Sequence, residues 1–252
     1  MDALGQYTGF ALYRSRVTPG ARVLSFGEVR DRAQVFVDGT PVGVLARDHH
    51  DRSISLPPGE RLDLLVEDQG RVNYGPRIGE DKGLIGPATL DGAELAGWQV
   101  LPLDVDGFVR SGSALFARHP DHHDAVLPAG PVDLDLDVDL DLAVNLTPTP
   151  TLTPAAPVVA SSSLSGPAFA RGRFAAEPGV DLFLSTAGWG KGQAWINGFN
   201  LGRFWDRGPQ TTLYVPGPVL GTEKELVILC LHGTESARAR FVDRPDLGHT
   251  DF

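Results

Sequence analysis

The sequence predicts an all-β protein: two tandem jelly-roll β-sandwiches joined by a low-complexity linker. Three observations carry this. The 252 residues include 30 glycines and 20 prolines, so turns are frequent. Apolar residues come in short alternating runs, and no long stretch keeps the 3.6-residue period of a helix. The chain also repeats itself. QVFVDGTPVG at 34–43 aligns without a gap to QAWINGFNLG at 193–202, an offset of 193 − 34 = 159 residues.

The clearest element is the second of these two segments. Gln193, Trp195 and Asn197 alternate with Ala194 and Ile196, the signature of a strand with two unlike faces. Asn197-Gly198 is a strong two-residue turn, because both residues tolerate positive φ. Residues 201–205 then return as the partner strand. Three of the four tryptophans, Trp189, Trp195 and Trp205, crowd into this region. Trp195 is expected in the sandwich core, where Phe36 holds the matching place in the first copy.

In chain order, strands are expected at 7–17, 23–26, 33–37, 42–46, 54–56, 62–66, 84–90 and 98–103. Asp38-Gly39 forms the hairpin turn between the third and fourth. A second set is expected at 169–174, 180–185, 193–196, 201–205, 211–215, 225–231 and 237–242. The domains are thus 1–110 and 166–252. Between them, 111–165 reads as an acidic and Thr/Pro-rich linker, partly disordered, since proline at this density favours extended, solvated backbone.

Composition excludes several functions. A net charge of −10 argues against a nucleic-acid partner. The longest strongly apolar run, 226–231, is far too short to span a bilayer, so no membrane partner is expected. The single cysteine, Cys230, excludes an intrachain disulfide and is expected as an inert core residue. The N-terminal residues lack a basic head followed by an apolar core, so a cytoplasmic location is expected.

Several motifs resemble the β-domain region of glycoside hydrolase family 35 β-galactosidases. LGQYTGFALYR (4–14), DRAQVFVDG (31–39), LLVEDQGRVNYG (64–75) and DKGLIGP (81–87) resemble successive parts of its first β domain. GPAFARGRF (166–174), GWGKGQAWINGFNLGRFWDRGPQ (188–210) and FVDRPDLG (241–248) resemble the second. The resemblance implies galactose-binding-like jelly rolls from the family's non-catalytic C-terminal region. It implies as partner a galactoside-type carbohydrate or a (β/α)₈ catalytic barrel. The sequence departs from the family at Ala170, where an aromatic is usual, and at Cys230, where glutamate is common.

The catalytic glutamates of the family lie on the barrel, which this sequence does not contain. Retaining glycosidases need two carboxyls about 5–5.5 Å apart, and the glutamates here are scattered along the chain, with no pairing apparent. No catalytic residue is therefore expected, and the chain by itself is expected to be inactive. The alternatives are an independent carbohydrate-binding module or a truncated gene product.

Sugar recognition calls for an aromatic face and planar polar side chains. Arg71, Asn73 and Tyr74 offer these in a glycine-flanked loop that, by the resemblance, faces the barrel. Arg203 and Trp205 offer them at the end of a strand. No cofactor and no metal site is expected. His49, His50, His119, His122, His123 and Asp124 fit no ligand spacing. The aspartates at 133, 135, 137, 139 and 141 read as a solvated acidic tether rather than a calcium loop.

Overall fold

Strands dominate both halves of the protein. The computed structural model describes residues 1–111, 124–125, 132–135, 137–139, 166–174, 179–221, 224–235, 238–242 and 244–248. Two units emerge, Met1–Val105 and Asp106–Phe252. The strands of the first are β1 (Gly9–Arg16), β2 (Arg22–Ser25), β3 (Glu28–Arg30), β4 (Arg32–Val37), β5 (Thr40–Ala46), β6 (Ser53–Leu56), β7 (Arg61–Asp68), β8 (Gly83–Ile85), β9 (Thr89–Leu90), β10 (Ala93–Glu94) and β11 (Gln99–Leu103). They form a sheet in the order β11-β1-β7-β4-β5, a second in the order β10-β9-β2-β6, and a small β3-β8 ribbon.

The second unit opens within a short helix, α1 (Val105–Arg110). It continues with β12 (Asp124–Ala125), β13 (Val132–Asp135), β14 (Asp137–Asp139), β15 (Ala168–Phe174), β16 (Leu182–Ser185), β17 (Lys191–Ile196), β18 (Phe199–Trp205), β19 (Thr212–Val215), β20 (Glu225–Cys230) and β21 (Arg238–Val242). Its sheets run β12-β15-β20-β17-β18, with β14 also on β15, and β13-β21-β16-β19. Each unit is a jelly-roll sandwich with its core between the two sheets. No helix among the described residues is long and apolar enough to cross a membrane.

Alternation builds both cores. In the first, Ala33, Val35 and Val37 of β4 meet Leu62, Leu64 and Val66 of β7. In the second, Ala194 and Ile196 of β17 meet Leu226, Ile228 and Cys230 of β20. Each fully buried leucine or isoleucine side chain contributes about 1.5–3 kcal/mol.

The repeat expected from sequence extends through the topology. With the same offset, 191 − 32 = 159, β4 falls on β17, β5 on β18 and β6 on β19, end to end. Both hairpins carry a register shift at the matching step, Val35/Phe36 and Ala194/Trp195. Both turns adopt the same backbone, with φ of 49° and 85° at Asp38-Gly39 and 50° and 76° at Asn197-Gly198. That left-handed conformation suits Asn, Asp and Gly.

The turn side chains then fasten a neighbouring strand. Asn197 Oδ1 accepts from the Glu225 amide at 2.8 Å, and its Nδ2 donates to the Val219 carbonyl at 2.9 Å. Asp38 Oδ1 accepts from the Arg61 amide at 2.8 Å.

The placement of Trp195 corrects an expectation. It is fully buried, as is Phe36 at 3% exposure, and the two do match. Yet the alternation puts Ala194 and Ile196 toward the sandwich core, so Trp195 lies on the reverse face of the sheet. That face is covered by α1. Trp195 Nε1 donates to Asp106 Oδ1 at 2.7 Å, and Phe108 stacks on Phe169 with centroids 6.3 Å apart. Sequence alternation separates two faces but cannot say which one meets the other sheet when both are covered.

Part of the stretch expected to be a tether is strand. The β13 register sets Asp133 opposite Arg240 and Asp135 opposite Arg238, and β14 sets Asp137 opposite Arg171. His119, His122, His123, Asp141 and residues 140–165 lie outside the described residues.

Replacing Asn197 by alanine removes the residue suited to the left-handed turn and two hydrogen bonds, and should cost about 2–3 kcal/mol. Asp38→Ala should lower stability by a similar amount. Chemical denaturation of each variant checks this, and a loss below about 0.5 kcal/mol would contradict the role given to the turn side chains.

Candidate functional site

The segment between β7 and β8 carries three of the residues singled out from sequence. It leaves β7 at Asp68, where Asp68 Oδ1 accepts from the Gly70 amide at 2.8 Å. Gly70, at φ 128°, makes the bend that a side chain would resist. Arg71 is then held from several sides. Its Nε donates to the Tyr7 carbonyl at 3.0 Å, and the guanidinium pairs with Asp2 and Asp68. Arg71 therefore fastens residues 2–7 to the loop.

Asn73 and Tyr74 follow at the tip. Tyr74 is 89% exposed and Ile78 63% exposed, while Val72 is half-buried. Their exposure is unusual, since apolar side chains concentrated on a loop normally meet a partner.

Arg203 and Trp205 lie in the other unit, on the last turns of the β17–β18 ladder. The register pairs Gln193 with Arg203 and Lys191 with Trp205, so both sit on the reverse face with Trp195. Lys191 Nζ lies 4.1 Å and Arg207 Cζ 4.4 Å from the centroid of the Trp205 ring, and His232 meets it edge-on at 6.3 Å. Cations over an indole gain from its electron-rich face. The ring is thus already engaged, and a sugar stacking on it would have to displace one of these cations.

Behind the 70–82 loop stands a charge network that sequence reasoning missed. Asp31, 5% exposed, receives Lys82 Nζ on both oxygens at 2.9 and 2.7 Å. Arg47 Nη1 donates to it at 2.9 Å and the Gln69 amide at 3.0 Å. Arg47 also grips Glu80 with both terminal nitrogens. Arg77 bridges Glu28 at 3.1 Å and Glu80 at 3.5 Å, and Arg30 donates to Glu28 at 2.6 Å. The signal was a charged pair, Asp31-Arg32, set directly against an apolar strand. Its partners lie at separations that local pattern cannot supply.

Two glutamates are therefore brought together after all, Glu28 and Glu80 around Arg77. Their chemistry is wrong for glycoside hydrolysis, which needs one carboxyl to keep its proton near neutrality. The Arg30 hydrogen bond, with help from Arg77, holds Glu28 down at about 2. Burial pushes Glu80 up, but Arg47, Arg30 and Lys82 outweigh it and leave it below the usual range. Both stay ionised. Among the described residues no cluster of three or more His, Cys, Asp or Glu could hold a metal.

Asp31 follows the same balance, with burial overcome by the hydrogen bonds from Lys82, Arg47 and the Gln69 amide. Carboxyls lowered on folding stabilise above their unfolded values, near 4, and lose that contribution as pH falls through their folded values, about 2 for Glu28. Stability should hold above about pH 5 and decline steadily below about pH 4.5. Asp31→Asn, which leaves Lys82 buried without its carboxylate, should cost about 3–5 kcal/mol at neutral pH and flatten the acid limb. An acid limb unchanged in this variant would contradict the network's role.

The comparisons with known proteins agree with this architecture. Residues 1–104 match the family model "Beta-galactosidase, first all-beta domain", and 167–225 match "Beta-galactosidase, galactose-binding domain". The chain is 38% identical to the β-galactosidase of Macaca fascicularis over 98% of its own length and 35% of the relative's. It is 36% identical to that of Homo sapiens over 96% of its length and 35% of the relative's. Against the β-galactosidase of Xanthomonas manihotis the identity is 34%, over 85% of the chain and 29% of the relative. The chain thus spans about a third of the length of these relatives, and by its two all-β domains it belongs to the β-galactosidase family.

Proposed function

We propose that this chain is the non-catalytic C-terminal region of a β-galactosidase, and that it docks on a (β/α)₈ barrel and shapes the rim of the barrel's active site. The barrel hydrolyses terminal β-galactosides, and the two sandwiches stabilise it. The functional domains are the two expected at 1–110 and 166–252, except that α1 packs on the second, and 111–165 supplies strands to the second as well as linker.

The observation that carries the reading is the tip of the 70–82 loop. Tyr74 and Ile78 stand exposed on a backbone that Arg71 and Gly70 hold in place. A pre-shaped loop binds at lower entropic cost than a floppy one. Tyrosine and arginine are also the residue types in which interface energy concentrates. Asn73 beside Tyr74 gives the loop a planar amide for the rim of a sugar pocket, whereas Arg203 and Trp205 are engaged within their own unit. Support also comes from length, since the relatives carry roughly two further thirds of chain.

A barrel domain from a related β-galactosidase, added to the purified chain, should form a complex. Tyr74→Ala should weaken it about tenfold or more, a hot-spot effect. The chain alone should not hydrolyse an aryl β-galactoside. Turnover that persists in pure protein and disappears in Glu28→Gln or Glu80→Gln would overturn the non-catalytic reading. Binding unaffected by Tyr74→Ala would overturn the docking surface.

A further inference from the structure

A second feature of the first unit shares Glu28, Arg47 and Arg77 with the charge network. A cleft of about 400 Å³ opens among Glu28, Val29, the residues that follow β5, Gln69 and Arg77. We propose that this cleft binds a neutral saccharide through its hydroxyl groups.

The lining holds three guanidiniums, Arg47, Arg52 and Arg77, and three carboxylates, Glu28, Asp48 and Asp51. They balance, so neither an anion nor a cation is favoured as such. The one aliphatic lining residue, Val29, is 1% exposed, which leaves little for an apolar ligand to cover. A ligand matched to such a wall must donate and accept hydrogen bonds around most of its surface. Vicinal hydroxyls do this, because each donates once and accepts twice. Planar guanidinium, amide and carboxylate groups can each engage two of them at once. The volume lies within the ordinary range of small-molecule sites.

The wall is also preorganised. Arg47 is fixed by Asp31 and Glu80, and Arg77 by Glu28 and Glu80. Asp51 accepts from the Ala46 amide at 3.1 Å, and the His50 amide donates to the Arg47 carbonyl at 3.0 Å, with His50 at φ 58°. The wall is thus held before any ligand arrives. Three groups on it remain uncommitted. The side chains of Arg52, His50 and Gln69 are exposed at the cleft and have no partner among the described residues. Their backbones are nonetheless anchored, through Phe26 N donating to the Arg52 carbonyl at 2.8 Å and Gln69 N donating to Asp31 at 3.0 Å.

The internal repeat sharpens the assignment. With the offset of 159, the place of Ala46 at the end of β5 is taken in the second unit by Trp205 at the end of β18. There the bulky ring, Lys191 and Arg207 pack together. In the first unit the small alanine leaves the charged residues after β5 free to line an opening.

The test is titration of the full chain with galactose, lactose, galacturonate and galactosamine, followed by amide chemical shifts and calorimetry. Galactose or lactose should bind saturably with Kd on the order of 1 mM, and shifts should centre on residues 47–52 and 69. Galacturonate and galactosamine should bind no tighter than galactose. Arg52→Ala and Gln69→Ala should each weaken binding about fivefold or more, with the unfolding midpoint unchanged. Binding of the added barrel should be unaltered in both variants, which separates this site from the docking surface. Absence of saturable binding, a clear preference for the charged sugars, or binding that survives both substitutions would overturn the proposal.

Discussion

The register of one hairpin, used twice, decides what every other side chain in the two sandwiches faces. A slip of one residue in β17 would move Ala194 and Ile196 out of the core and bring Trp195 and Gln193 into it. Three devices prevent this: a two-residue left-handed turn, a bulge two steps before its first residue, and a turn side chain that grips the next strand. All three recur at the same positions in β4–β5. The conserved offset through β4, β5 and β6 shows that the hairpin and the strand after it form one structural unit in each copy.

Once the register is fixed, the difference between the units follows from single residues on equivalent positions. The reverse face of the second unit's sheet holds Trp195 and Phe169, which meet Asp106 and Phe108 of α1. In the first unit, Phe36 and Leu12 occupy the same register positions and are also buried. At the end of the hairpin, the alanine-for-tryptophan difference separates an open, charge-lined cleft from a filled aromatic cluster. Asp31 holds the open end together. It ties the start of β4, the residues after β5, the exit of β7 and the approach to β8 around one buried carboxylate. Isolated buried charge is costly, and here every oxygen is met by cations or an amide.

Much of this architecture was legible in the sequence. The Asp-Gly and Asn-Gly turns, the alternation around them and the offset repeat all reduce to local rules of backbone conformation and strand period. Where the rules are local, they succeeded. The side to which Trp195 points was not legible, because alternation is blind to which face a helix will cover. Helix α1 itself, VDGFVR, has six residues and an internal glycine, too little for a periodic signal. The strands at 132–135 and 137–139 were missed because the strands they pair with stand far along the chain. In the site, the glycines flanking Arg71, Asn73 and Tyr74 marked a surface loop. The Asp31 network and the cleft did not, because they are assembled from segments up to 51 residues apart.

The central claim is that the first unit's 70–82 loop is a surface shaped to meet a barrel. Hydrogen–deuterium exchange on the chain, free and with a barrel from a related β-galactosidase, tests it most directly. The account predicts slower exchange across 70–82 in the complex, centred on Tyr74, with the β17–β18 hairpin unchanged. Protection confined to the second unit, or none at 70–82, would contradict it.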